Sequence, residues 1–131
     1  MKKQYTLLIL LVGSITIQAQ IVNIPDANFK ARLLQEEVAF DENYVPITID
    51  ANSNGEIEVN EIQNVYSLDV SNSNIGDLTG IESFTALKSL NCNHNQLTTL
   101  TITTISLNGL DASYNMLTSI NVIFDSVVEG L

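Results

Sequence analysis

The stretch richest in chemistry runs from Asp50 to Glu61, D-A-N-S-N-G-E-I-E-V-N-E. It matches D-x-[DN]-x-[DN]-G-x5-E without a gap, the pattern of a loop that wraps a hard divalent cation. Asp50, Asn52 and Asn54 put side-chain oxygens at loop positions one, three and five. Gly55 at position six allows the sharp turn, and Glu56 at seven offers its backbone carbonyl. Glu58 at nine acts through a water, and Glu61 at twelve binds with both oxygens. Ile57 at eight is apolar, as a residue that points inward should be. A set of oxygen donors selects calcium or magnesium over zinc or copper. Asn at two positions where Asp would add charge implies modest affinity, roughly the 10⁻⁴ to 10⁻³ M range of extracellular calcium modules. The plainer alternative is a solvated acidic turn that binds nothing.

Such a loop needs elements on either side to hold it. Upstream, residues 24–37 are predicted to form a helix. Pro25 suits the first turn, Asp26 suits the positive helix end, and Phe29, Leu33 and Leu34 make one apolar stripe. Residues 41–46, D-E-N-Y-V-P, read as the turn that ends it. Downstream, only Ile62 to Asn64 separate the loop from a repeated pattern, which leaves little room for a long exiting helix. A sensor that opens a groove needs two helices that swing apart, so a structural calcium clip fits better.

The repeated pattern begins at Val65. Val65, Leu68, Val70 and Ile75 recur 22 residues later as Leu87, Leu90, Cys92 and Leu97, and 20 residues after that as Leu107, Leu110, Ala112 and Leu117. Each copy fits L-x-x-L-x-L-x-x-N-x-L, with Asn95 and Asn115 at the Asn position and Ser73 in its place in the first copy. Within S-L-D-V-S, S-L-N-C-N and G-L-D-A-S, apolar and polar residues alternate. Period two means a short strand with one buried face, and such strands bury it by stacking on neighbours. The Asn amide both donates and accepts, so it can tie one turn to the next. Further apolar pegs follow: Leu78, Ile81 and Phe84, then Leu100, Ile102 and Ile105, then Ile120 and Val122. The expected fold is an α/β solenoid, a right-handed superhelix with short parallel strands on its concave face and a small helical cap over residues 20–64.

The chain has 131 residues, the length of a single domain. Residues 1–19 read as a signal peptide: Lys2 and Lys3 form a basic start, an apolar run follows, and Ala19 is a small residue suited to cleavage. The apolar run is short for a membrane span, so no span is expected after cleavage, although the same segment could be kept as an anchor. Without Lys2 and Lys3 the chain keeps three basic residues against fifteen acidic ones, a net charge of about −12. That argues against nucleic acid and anionic membrane surfaces as partners, because both are held by Lys and Arg. The single cysteine, Cys92, falls at a buried repeat position and reads as a small core hydrophobe.

Taken together, I-P-D-A-N-F-K-A-R-L-L (24–34), the loop at 50–61, S-L-D-V-S (67–71) and D-L-T-G-I-E-S-F-T-A-L-K-S-L-N-C (77–92) carry a resemblance. Residues 23–131 resemble secreted leucine-rich repeat proteins of Gram-negative bacteria, with internalin-like repeats and an EF-hand-like calcium loop. The resemblance implies a secreted or cell-surface module that binds a protein or a glycan. The chain departs from that pattern at Ser73 and at its end, where Val128-Glu129-Gly130-Leu131 starts a fourth copy. This raises the alternative of a fragment of a longer repeat array with no function of its own.

The residues predicted to face outward from the strands are Ser67, Asp69, Ser71, Ser89, Asn91, Asn93, Gly109, Asp111 and Ser113. They are small, polar and mildly acidic, with no aromatic anchor among them, whereas tight protein interfaces favour Trp, Tyr and Arg. Tyr66, Tyr114 and His94 are expected beside the strands. A hydrolase is a remote alternative: His94 is the one histidine, and a Ser-His-Asp set would need it beside Asp69 or Asp111 together with an oxyanion hole. Nothing in the spacing demands that, so no enzyme is expected.

Overall fold

The computed structural model describes residues 19–125 together with Lys2. The expected signal peptide, apart from Lys2 and Ala19, and the expected fourth-copy start at 128–131 lie outside the described residues.

Helix α1 spans Ala27–Leu33. Asp26 caps it, its Oδ1 accepting from the N–H groups of Asn28 and Phe29 at 2.9 Å each. Phe29 and Leu33 are buried, but Leu34 is 39% exposed, so the apolar stripe is narrower than predicted. The helix also stops sooner than residue 37. Glu37 takes a left-handed φ of 57°, and the buried pair Val38 and Ala39 leads straight into strand β1, Ala39–Phe40. β1 pairs antiparallel with β2, Pro46–Ile47. The stretch expected as a helix-ending turn is therefore the connection of a hairpin. Asp41 builds it by accepting from Asn43 N and Val45 N.

After helix α2, Val59–Ile62, come β3, Ser67–Asp69, and β4, Ser89–Asn91. β5 runs over Thr99–Leu107, β6 over Gly109–Asp111 and β7 over Ser119–Phe124. One sheet has the order β2-β1-β3-β4-β6, and a second pairs β5 with β7. β3, β4 and β6 are parallel and in register: Leu68, Leu90 and Leu110 align, as do Asp69, Asn91 and Asp111. β1 runs antiparallel to β3, so the first sheet is mixed.

This corrects the expected fold class. Among the described residues the protein is mostly sheet with two short helices, and its strands do not close into a leucine-rich repeat solenoid. Period-two alternation specifies a strand with one buried face but not the direction of its neighbour. The two-residue strands β1 and β2 are too short to leave a periodic trace, yet they set an antiparallel edge against the first repeated strand. The segments between repeated strands hold no α-helix. One three-residue 3₁₀ turn, Ile81–Ser83, follows β3. Later spacers such as T-L-T-I-T-T-I-S-L are rich in β-branched residues, which fit a pleated surface and make the second sheet.

The core lies between these layers. Phe29 and Leu33 share one buried cluster with Ile49, Ile57 and Ile62 from the loop region and Leu68, Leu90, Phe84 and Leu97 from the repeats. Cys92 is fully buried, and desolvation, helped by the charge of Asp111, pushes its thiol up to about 12. It behaves as the predicted core hydrophobe. Burial fades toward the last copy: Leu110, Ala112, Leu117 and Val122 are only partly buried, and Ile120 is 58% exposed.

Candidate functional site

Two regions gather the predicted site residues: the loop at 50–61 and the outer face of the first sheet. The loop is fixed at its downstream end by an isolated antiparallel bridge between Ile21 and Glu58. Val22 N donates to the Ile57 carbonyl and Val59 N to the Gln20 carbonyl. Ile57 is 1% exposed, as its place in the motif demands. Gly55 adopts a φ of +78° with open space where a Cβ would stand, so the turn uses its freedom of backbone angle.

The loop oxygens are engaged with the loop's own N–H groups. Asp50 Oδ1 accepts from Asn54 N and Oδ2 from Gly55 N, both at 2.9 Å. Glu61 accepts from Ala51 N through Oε1 and from Glu58 N through Oε2. Asn52 Oδ1 accepts from Asn54 N, and Asn54 Oδ1 from Glu56 N. The nitrogens of both amides turn to Glu58: Asn54 Nδ2 donates to Oε1 at 2.7 Å and Asn52 Nδ2 to Oε2 at 2.9 Å. Glu58 is buried, and hydrogen bonding from Asn54 first, then the Glu61 side chain and Asn52, holds its carboxyl below the usual range despite burial and the nearby Asp50. Burial and then Glu58 itself push the Glu61 carboxyl upward, against the N–H groups that it accepts.

The donor types suit a hard cation, since Asp50, Asn52, Asn54, Glu58 and Glu61 all bring oxygen. The arrangement is not a preformed cage: among the described residues no three His, Cys, Asp or Glu side chains are grouped to hold a metal. Two amide N–H groups stand against Glu58, where a bound cation would bring positive charge. The Glu56 side chain pairs with Lys30 Nζ at 2.7 Å, which joins the loop to α1. Sequence reasoning missed Lys30. A pairing 26 residues apart leaves no local signal in the sequence.

Asp26 does more than the helix-end role that its sequence position predicts. Its second oxygen accepts from Gly76 N at 2.8 Å and Asp77 N at 3.0 Å, and Asn28 Nδ2 donates to the Asn74 carbonyl. The helix is thereby tied to the turn after β3. Burial opposes ionisation of Asp26, but the N–H groups of Phe29, Gly76, Asp77 and Asn28 outweigh it and hold the carboxyl low.

On the sheet face the predicted residues do come together. Ser67, Ser89 and Gly109 form one register row, and Asp69, Asn91 and Asp111 the next. Each residue of the second row accepts from the backbone two residues on: Asp69 from Ser71 N, Asn91 from Asn93 N, Asp111 from Ser113 N. Asp111 also accepts from Ser113 Oγ at 2.6 Å and Asn93 Nδ2 at 2.9 Å. The Ser113 hydroxyl, Asn93, the Ser113 N–H and the nearby His94 bring its carboxyl down to about 2. His94 Nδ1 pairs with Asn93 Oδ1, and the ring stacks on Tyr114 with centroids 4.1 Å apart and planes 18° apart. Ser113 thus bonds Asp111 directly, without His94 between them.

No protein-family model matches the chain, and no curated protein matches it either.

Proposed function

We propose that this protein is a recognition module that works outside the cell, with calcium bound at 50–61 as a structural clip. The observation that carries the reading is the register row Asp69, Asn91 and Asp111, flanked by Ser71, Asn93 and Ser113 on one polar face. That face contributes nothing to the core, and its ordered polar groups are spaced one strand apart, about 4.8 Å. Such a ladder offers repeated hydrogen-bonding groups to an extended ligand, a protein or a glycan. The signal-like residues 1–19 and the acidic balance favour an extracellular setting.

The clip reading rests on the donor set. A bound calcium would be held by the oxygens of Asp50, Asn52, Asn54, Glu58 and Glu61, and its charge would stand in for the two amide N–H groups that now face Glu58. The loop, α1 and the first repeated strand are linked through Lys30, Glu56 and Asp26, so an ion at the loop stiffens the N-terminal third. Calorimetric titration with calcium tests this directly. Heat at millimolar calcium that disappears in Asp50→Ala/Glu61→Ala supports it. A melting curve unmoved by calcium or chelator excludes it.

A further inference from the structure

The reading of the sheet face as a recognition surface leaves open what chemistry it accepts, and the end of that face is specific enough to say. The residue after Asn93 is His94, and the residue after Ser113 is Tyr114; the matching position in the first copy is Asn72. Asn72, His94 and Tyr114 all adopt left-handed backbone, with φ of 52°, 51° and 54° respectively. Asn tolerates that region, whereas a bulky Tyr there is uncommon. The Tyr114 ring gains little burial in return, being 75% exposed. One ring face rests on His94 at 4.1 Å. Asp111 and Ser113 beside it are exposed as well. Asp111 accepts from Asn93, Asn93 pairs with His94, and His94 stacks on Tyr114, so one connected group carries both a carboxylate and an open aromatic surface. Guanidinium and ammonium groups are received by such carboxylates and rings.

We propose that the outer face of β3, β4 and β6 docks a basic polypeptide segment, with an arginine or lysine side chain seated between the Asp111 carboxylate and the Tyr114 ring. Charge complementarity selects this occupant. The chain carries fifteen acidic residues against five basic ones, so a second copy or an acidic partner is repelled and a basic one is steered inward. Asp111 accepts two bonds from Ser113 and one from Asn93, and a carboxylate has room for about four. The remaining acceptor site is open to a cation. Asp69 lies two strands away in the same row and offers a second carboxylate to a neighbouring basic residue.

The test titrates isotope-labelled protein with the peptide Gly-Arg-Gly-Arg-Gly and, separately, with a neutral oligosaccharide, following backbone amide shifts. The expected result is shifts confined to 91–94 and 111–114 with the basic peptide. Asp111→Asn and Tyr114→Ala should each weaken binding roughly three- to tenfold, and Tyr114→Phe should retain it. Asp111→Asn preserves side-chain shape, so it carries the test if Tyr114→Ala does not fold. Glu42→Gln makes the same change of net charge from a position beside Asn64 and Tyr66, away from β6, and should leave binding unchanged. Equal loss from Glu42→Gln and Asp111→Asn would mean diffuse attraction and overturn the proposal. Shifts on this face with the oligosaccharide alone would overturn it while the recognition reading survives. Shifts on this face with neither probe would remove both.

Discussion

Asn95 reaches back one repeat to Val70: its Nδ2 donates to the Val70 carbonyl at 2.8 Å, while its Oδ1 accepts from Ser73 N and Ile75 N at 3.0 Å. The same nitrogen also serves the Cys92 carbonyl. One side chain thus satisfies backbone groups in two successive turns, and it does so while 8% exposed. Asn115 repeats the arrangement, donating to Cys92 and Ala112 and accepting from Leu97 N, but it is only half-buried. Asn95→Ala should therefore cost roughly 2–4 kcal/mol, because buried donors and acceptors are orphaned. Asn115→Ala should cost about 1 kcal/mol, since water replaces part of what is lost. Denaturant midpoints for the two variants check this. Equal losses would show that burial is not what distinguishes them.

Asp26 makes stability depend on acid. Its carboxyl is lower in the folded protein than its ordinary value of 3.8. An acid lowered on folding adds stability above its unfolded pKa and loses it as pH falls through the folded value. Melting temperature should thus drop as pH falls below about 4. Asp26→Asn should be less stable at neutral pH and should flatten that acid slope. An acid slope identical to that of the unmodified protein would assign the effect to other carboxylates.

Two left-handed glycines should respond differently to alanine. Gly80, at φ +104°, lies where a Cβ would stand 2.8 Å from the Asn23 carbonyl oxygen and 2.8 Å from Ile24 Cγ1. Gly55, at φ +78°, has nothing within 4 Å of that position. Gly55→Ala should cost only the left-handed backbone term, about 1–2 kcal/mol. Gly80→Ala adds a backbone clash and should cost roughly 1–3 kcal/mol more. Thermal melts of both variants give the comparison, and Gly80→Ala no worse than Gly55→Ala would mean that the N-terminal segment moves freely.

Asn54 is the residue through which the proposed calcium clip can be tuned. Its Nδ2 donates to Glu58 and so stabilises one carboxylate in a cluster that includes Asp50 and Glu61. Asn54→Asp replaces that donor with a third negative oxygen pair near Glu58. Without calcium the variant should melt lower, and with calcium it should gain more than the unmodified protein. Carboxylate ligands must be deprotonated to hold a cation, so any calcium affinity of the loop should fall as the solution becomes acidic. Calorimetry in buffers of different ionisation enthalpy measures the proton release.

Leu68, Leu90 and Leu110 are equivalent in sequence yet not in burial: the first two are 1% exposed and the third is only partly buried. Leu90→Ala should cost roughly 2–5 kcal/mol and Leu110→Ala clearly less, as read from unfolding free energies. A matching loss at both positions would mean that Leu110 is covered in solution.

The sequence by itself determined which residues alternate between core and solvent. The period-two segments became β3, β4 and β6, with Leu68, Leu90 and Cys92 inward and Asp69, Asn91 and Asp111 outward. It also determined the turn at Gly55 and the inward Ile57, because a glycine followed by one apolar residue between acids leaves few other arrangements. Tertiary structure alone decided the direction and company of the strands. The β1–β2 hairpin enters antiparallel through pairs such as Phe40 with Ser67, and contacts at that separation in the chain leave no periodic mark. It likewise decided that Asp26 serves both α1 and the turn at Gly76, and that Lys30 meets Glu56. Local alternation is a property of neighbours along the chain, whereas pairing partners are chosen by whichever distant backbone groups remain unsatisfied once the core has closed.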